Sequence, residues 1–113
     1  MAYELRYEKF AVVGPDGHEA SVVFQKAGRL ASGDQPELYF FDVDLKSVVV
    51  GVSGAALDEW QRSRRYLSRE EKIDVAGLRL KWQMIAGGLV NADSLYIQEP
   101  DLDVLVRALG LRV

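Results

Sequence analysis

The sequence predicts an α+β fold: an antiparallel β-meander of about four strands, with a possible short fifth, and two to three C-terminal helices packed on one face. Three observations predict it. Residues 3–52 carry apolar side chains at a period near two, punctuated by turn signals. Beyond residue 53 the period becomes helical. Strands therefore come first and helices second, which is the order of an α+β chain and not of alternating βαβ units.

In the first strand Tyr3, Leu5 and Tyr7 alternate with Glu4, Arg6 and Glu8. Phe10 and Val12 then continue on the other parity, and a bulge near Glu8–Lys9 would reconcile the two halves. Gly14-Pro15-Asp16-Gly17 is a turn, and Ala20, Val22 and Phe24 mark a second strand that closes a hairpin. Gly28 to Glu37 reads as a loop. Leu38 to Val43 is the third strand, with Tyr39 and Phe41 on one side and Phe40 on the other. Lys46 to Val52 is the fourth, and its Val48-Val49-Val50 run suggests a central strand covered on both faces.

Ser53 is placed to cap a first helix that begins at Gly54 and fades near Tyr66. The chain is organised around the next helix, Ser68 to Gly88. Ser68 and Glu71 form a capping box, Glu70 and Glu71 suit the positive end of the dipole, and Gly87-Gly88 supply the stop. At about 100° per residue, Ile73, Ala76, Gly77, Leu80 and Met84 fall on one face. Val75, Leu78, Trp82, Ile85 and Ala86 fall on the opposite one. Only two polar strips separate them, Asp74 with Lys81 and Lys72 with Arg79 and Gln83. A helix apolar nearly all round is buried, so one face should meet the sheet and the other a further helix or another chain. Asn91–Asp93 is a turn, Leu95–Ile97 the short fifth strand, and Pro100 opens a last helix carrying Leu102, Leu105, Val106 and Leu109, which Gly110 stops.

Length and composition agree with a single globular domain over 1–113: 49% of the residues are apolar and 27% charged. The absence of cysteine excludes disulfides, thiolate zinc sites and cysteine nucleophiles. The N-terminal stretch lacks the apolar run of a signal peptide, and no window approaches a membrane span. A cytoplasmic location is the expectation. A net charge of -3 gives little support to nucleic-acid binding by the domain as a whole.

Few residues carry chemistry. His18, the single histidine, stands near Asp16 and Glu19 as a conceivable general base, but a hairpin tip preorganises it poorly. Asp34, Glu37, Asp42 and Asp44 offer hard oxygens, without the spacing of a calcium loop; turn chemistry explains the aspartates as well. Asp58, Glu59, Glu70 and Glu71 are accounted for by helix starts. Gly51-Val52-Ser53-Gly54 joins a strand to a helix and could hold an anion, but it does not match a nucleophile elbow. Between Trp60 and Lys72 the chain carries five basic residues against two acidic ones. Arg62, Arg64, Arg65 and Arg69 are thus candidates for an anionic ligand, with Trp60 and Tyr66 able to stack. The alternative is a solvated helix junction whose arginines cap carbonyls. Val75, Leu78, Trp82 and Ile85 are candidates for an interaction surface, a homodimer seam or a protein-binding face, against the plainer reading that the last helix covers them.

The reading that follows is a small non-enzymatic interaction domain that self-associates or binds a protein partner through the central helix. An anion- or nucleic-acid-binding module built on the arginines is the alternative, and a small enzyme comes third. No cofactor or metal is implied.

Overall fold

The computed structural model describes residues 3–29, 36–87 and 94–112. The elements run β1 (Lys9–Val13), β2 (Glu19–Arg29), β3 (Glu37–Val43), β4 (Lys46–Val52), α1 (Gly54–Ser63), α2 (Arg69–Gly87), β5 (Ser94–Ile97) and α3 (Asp101–Ala108). The sheet keeps chain order, β1-β2-β3-β4-β5, antiparallel as far as β4. β5 lies parallel to β4, with α1 and α2 as the crossover between them. The architecture is α+β.

Strand register sorts the side chains into two sets. Phe10 pairs with Val22 and Val12 with Ala20; Phe41 lies between Phe24 and Val48, and Tyr39 opposite Val50. These residues face the helices and share one core with Leu57, Trp60, Ile73, Leu80, Ile97, Leu102 and Leu105. Phe24 and Phe41 meet edge to face, with ring centres 5.5 Å apart. The two-residue turn of the β3–β4 hairpin places Asp44 at φ 49° and Leu45 at φ 72°. Asparagine or glycine would be the usual choice there; aspartate tolerates this region and leucine does not favour it.

The two serine N-caps form as the sequence predicts. The Ser53 hydroxyl accepts from Ala56 N at 3.2 Å. At the start of α2, Glu71 N donates to Ser68 Oγ at 3.1 Å and Ser68 N to Glu71 Oε1 at 2.8 Å. Arg65 grips the same carboxylate with two bonds of 3.0 and 2.9 Å. The Arg65 guanidinium first, and then the Ser68 amide, hold the Glu71 carboxyl below the usual glutamate range. A depressed carboxylate stabilises the fold above its unfolded pKa, and that contribution is lost as pH falls through the lower folded value. Glu71→Gln should therefore cost about 1–2 kcal/mol at neutral pH. In urea titrations the gap to the parent chain should shrink once the pH drops below about 4.3. A gap that stays constant down to acid pH would contradict this.

Several sequence expectations are corrected. Tyr3–Glu8 is not part of a strand; β1 begins at Lys9. The strand-like alternation of Tyr3, Leu5 and Tyr7 marks a half-buried segment outside the ladder: Tyr3 and Tyr7 meet α2 at Asp74 and Gly77, and the Tyr7 ring also meets Phe10 of β1. The buried Asp74 carboxylate accepts backbone N–H bonds from Arg6 at 3.0 Å and Tyr7 at 2.8 Å, and a hydroxyl bond from Tyr3. Asp74 is thus no solvated strip: its exposure is 0%. Lys72, placed on the other strip, reaches Glu37 at 3.4 Å beneath β3. No bulge appears at Glu8–Lys9; the register shifts instead in β2, between Phe24 and Lys26. β2 extends through Arg29 and β3 starts at Glu37, which trims the expected 28–37 loop at both ends. Gly87 does not take up the left-handed stop, and Gly88 and the Asn91–Asp93 turn lie outside the described residues. Pro100 caps α3 from outside, following a cis peptide bond, and the helix starts at Asp101.

Candidate functional site

The second apolar face of α2 divides in two. Val75 and Leu78 are buried in the core of their own chain; Val75 sits among Val52, Leu57, Leu67 and Leu102. Trp82 and Ile85 remain 38% and 49% exposed. The reason is length. α2 has 19 residues and spans about 28 Å, whereas α3 has eight and covers about 12 Å. The short helix hides the earlier turns of α2 and leaves its last turns in the open. α3 contributes Val104, itself 50% exposed, to the same surface. Trp82, Val104 and Leu105 line a cleft of about 220 Å³, with Arg79 and Asp101 at its edges. Arg79 donates to Gln83 Oε1 at 3.3 Å, and neither Arg79 nor Asp101 has an ion-pair partner among the described residues.

The arginines of the α1–α2 junction each face a different neighbour. Arg62 pairs with Glu59 at 3.3 Å, and Arg64 with Asp103 at 3.5 Å while lying over the Trp60 ring. Arg65 holds Glu71 and also donates to the Arg112 carbonyl at 2.7 Å. Arg69 stands over Phe24, 5.9 Å from the ring centre. Asp103 is the hub that sequence reading missed: it also accepts from Trp60 Nε1 at 3.0 Å and Arg107 Nε at 2.7 Å. The Trp60 and Arg64 contacts fasten α1 to α3, and the Arg107 bond lies within α3. Arg62, beside Asp58, Gln61 and the exposed Tyr66, borders an open depression.

His18 and Asp44 come together although their hairpins are separate in sequence. His18 Nε2 lies 3.0 Å from Asp44 Oδ2, and Asp44 Oδ1 accepts Ser21 N at 2.9 Å. Asp44 raises the His18 pKa; the Ser21 amide, and then His18, lower that of Asp44. The pair borders an opening of about 500 Å³ floored by Val12, Ala20, Val43 and Met84. Both side chains are largely solvated, and no serine hydroxyl bonds His18 among the described residues. The pair can join the two hairpin ends and exchange a proton with water.

The remaining candidates do not converge. Glu37 is buried and accepts from the Tyr39 hydroxyl at 2.7 Å, Asp42 faces outward from the sheet, and Asp34 lies outside the described residues. Among the described residues no three acidic or histidine side chains are grouped to hold a metal ion. At Gly51–Gly54 the Ser53 amide donates to Ile97 O at 2.9 Å, and the Ala56 and Leu57 amides bond Ser53, so these donors are already used. No helix among the described residues is long and apolar enough to cross a membrane. Comparison with family models, with curated proteins and with solved structures finds no match to this chain.

Proposed function

We propose that this chain is a partner-binding domain whose contact surface is the exposed end of α2 together with α3. One observation carries the reading: among the described residues, Trp82, Ile85 and Val104 stay at the surface after α1, α2 and α3 have packed. Tryptophan is enriched at binding hot spots because it offers a large apolar area with few rotamers to freeze. The opposite charges of Arg79 and Asp101 beside the cleft suit a polypeptide that inserts an apolar side chain and answers both charges at the rim. The internal pairing of Arg64 and Arg65 counts against the anion-binding alternative. The separation of the His18–Asp44 pair from any nucleophile counts against catalysis.

The test places a photo-crosslinking residue at Ile85 in the intact chain. A discrete adduct is expected, and Trp82→Glu should abolish it while leaving the urea midpoint within about 1 kcal/mol of the parent. An adduct of twice the chain's mass would identify a second copy, and a discrete adduct of another mass a different protein. No adduct, or a Trp82→Glu chain that unfolds, would overturn the reading.

A further inference from the structure

The outer face of the sheet carries an inference independent of the helix-end surface. Register places Phe40 beside Val49, Leu38 beside Gly51 and Gly51 beside Tyr96, all turned away from the helices; Val23 belongs to the same face, opposite Asp42. An antiparallel sheet with one wet face normally alternates apolar inside and polar outside. The central strands break that rule here in part, because Leu38, Phe40 and Val49 among their outward positions are also apolar. Every helix lies on the other face, against Val48, Val50 and Val52, and none of the described residues covers this one. Tyr96 is 46% exposed. A Cβ on Gly51 would stand 3.1 Å from the Tyr96 ring, so the ring lies over the glycine and adds to the apolar surface there. Such an apolar face can pack on a second sheet at about 10 Å.

The charges on this face select its occupant. Lys26 and Asp42 both point outward from neighbouring strands, two register steps apart. Lys26 lies over the Phe40 ring at 5.2 Å, and neither residue has an ion-pair partner among the described residues. Two faces related by a two-fold axis must have that axis in the plane between them. On the flat grid that the strand register defines, the in-plane axis that bisects the line from Lys26 to Asp42 runs past Val49 toward Tyr96. Rotation about it sets Lys26 on Asp42 of the second copy, and Asp42 on Lys26 of the second copy, while the apolar residues meet along the axis. One patch thus satisfies itself twice, which an unrelated partner would have to match by coincidence.

We propose that the outer sheet face, Val23, Leu38, Phe40, Val49 and Tyr96 rimmed by Lys26 and Asp42, is the seat of a two-fold homodimer of this chain. The arrangement leaves the Trp82 surfaces of the two copies pointing outward. The test is the dimer dissociation constant of the intact chain, from sedimentation over a concentration series. Val49→Lys, which sets two like charges together near the axis, should abolish the dimer with far-ultraviolet dichroism unchanged. Asp42→Lys and Lys26→Asp should each weaken it about tenfold or more, and the double exchange should restore it to within about threefold. The rescue guards against misreading a variant that simply folds poorly. A parent chain that stays monomeric would overturn the proposal. So would a dimer indifferent to all these exchanges, and a dimer split instead by Trp82→Glu would move the seam to the helix end.

Discussion

Asp74→Ala is expected to lower the unfolding free energy by about 3–5 kcal/mol. The carboxylate is sealed from water and receives the Tyr3 hydroxyl and the Arg6 and Tyr7 amides. Alanine strands all three donors and leaves a gap beneath the first half of α2. A loss of that size is a large share of the 5–15 kcal/mol that holds a typical domain together. Asp74→Asn keeps the volume but turns an amide N–H₂ toward groups that are themselves donors, so it should fall between alanine and the parent. Urea midpoints measure the loss, and hydrogen exchange at the Arg6 and Tyr7 amides locates it. If Asp74→Ala costs under about 1 kcal/mol, the segment before β1 is not held by this clamp.

Gly77→Ala should destabilise the chain, against the intrinsic preference that favours alanine over glycine by about 1 kcal/mol inside a helix. The glycine lies where the N-terminal segment crosses α2. An added Cβ would stand 2.4 Å from Tyr7 Cβ and 3.1 Å from its carbonyl oxygen. Backbone on both sides leaves no flexible side-chain end to move aside, so the segment itself must lift, loosening its bonds to Asp74. We expect a net loss of about 2–3 kcal/mol, the range of an overpacked core. Tyr7→Gly removes the opposing Cβ, and in that background Gly77→Ala should cost much less, a coupling that a double-mutant cycle reads directly. A Gly77→Ala chain more stable than the parent would refute the close approach.

These two residues also mark the limit of what the sequence discloses. Four strands, the helices and the Ser68–Glu71 box were legible because each rests on neighbours within a few positions. The role of Tyr3–Tyr7 was not. Alternation says that one side of a segment is buried, and nothing about whether a strand or a helix buries it. In the sequence Asp74 reads as part of a polar strip between apolar faces, since its partners stand 67 to 71 residues away. The same holds for the surface at the end of α2. A helical wheel showed two apolar faces, but which residues stay uncovered depends on where an eight-residue helix docks. Val75 lies beside Leu102 of that helix, while Trp82 only borders the cleft along its Val104 and Leu105 and stays partly exposed, as does Ile85. The arginine run was plain in the sequence; its engagement by Glu71 and Asp103 was not, because Asp103 arrives from the far end of the chain.

The N-terminal segment has a consequence for how the chain is made. Tyr7 waits for Asp74, which follows it by 67 residues, and the Arg6 guanidinium waits for the Leu109 carbonyl, 103 positions away at 2.5 Å. On a ribosome adding 5–20 residues per second, the first wait alone lasts roughly 3–13 s. The β1–β4 hairpins pair between close neighbours and can close while translation continues. Their helix-facing surface, with Phe41 and Val48, then stands bare until α2 emerges, and the leading residues drape over α2 only afterwards. The stretch before β1 leaves the ribosome ahead of the sheet and is thus among the last parts to be fastened.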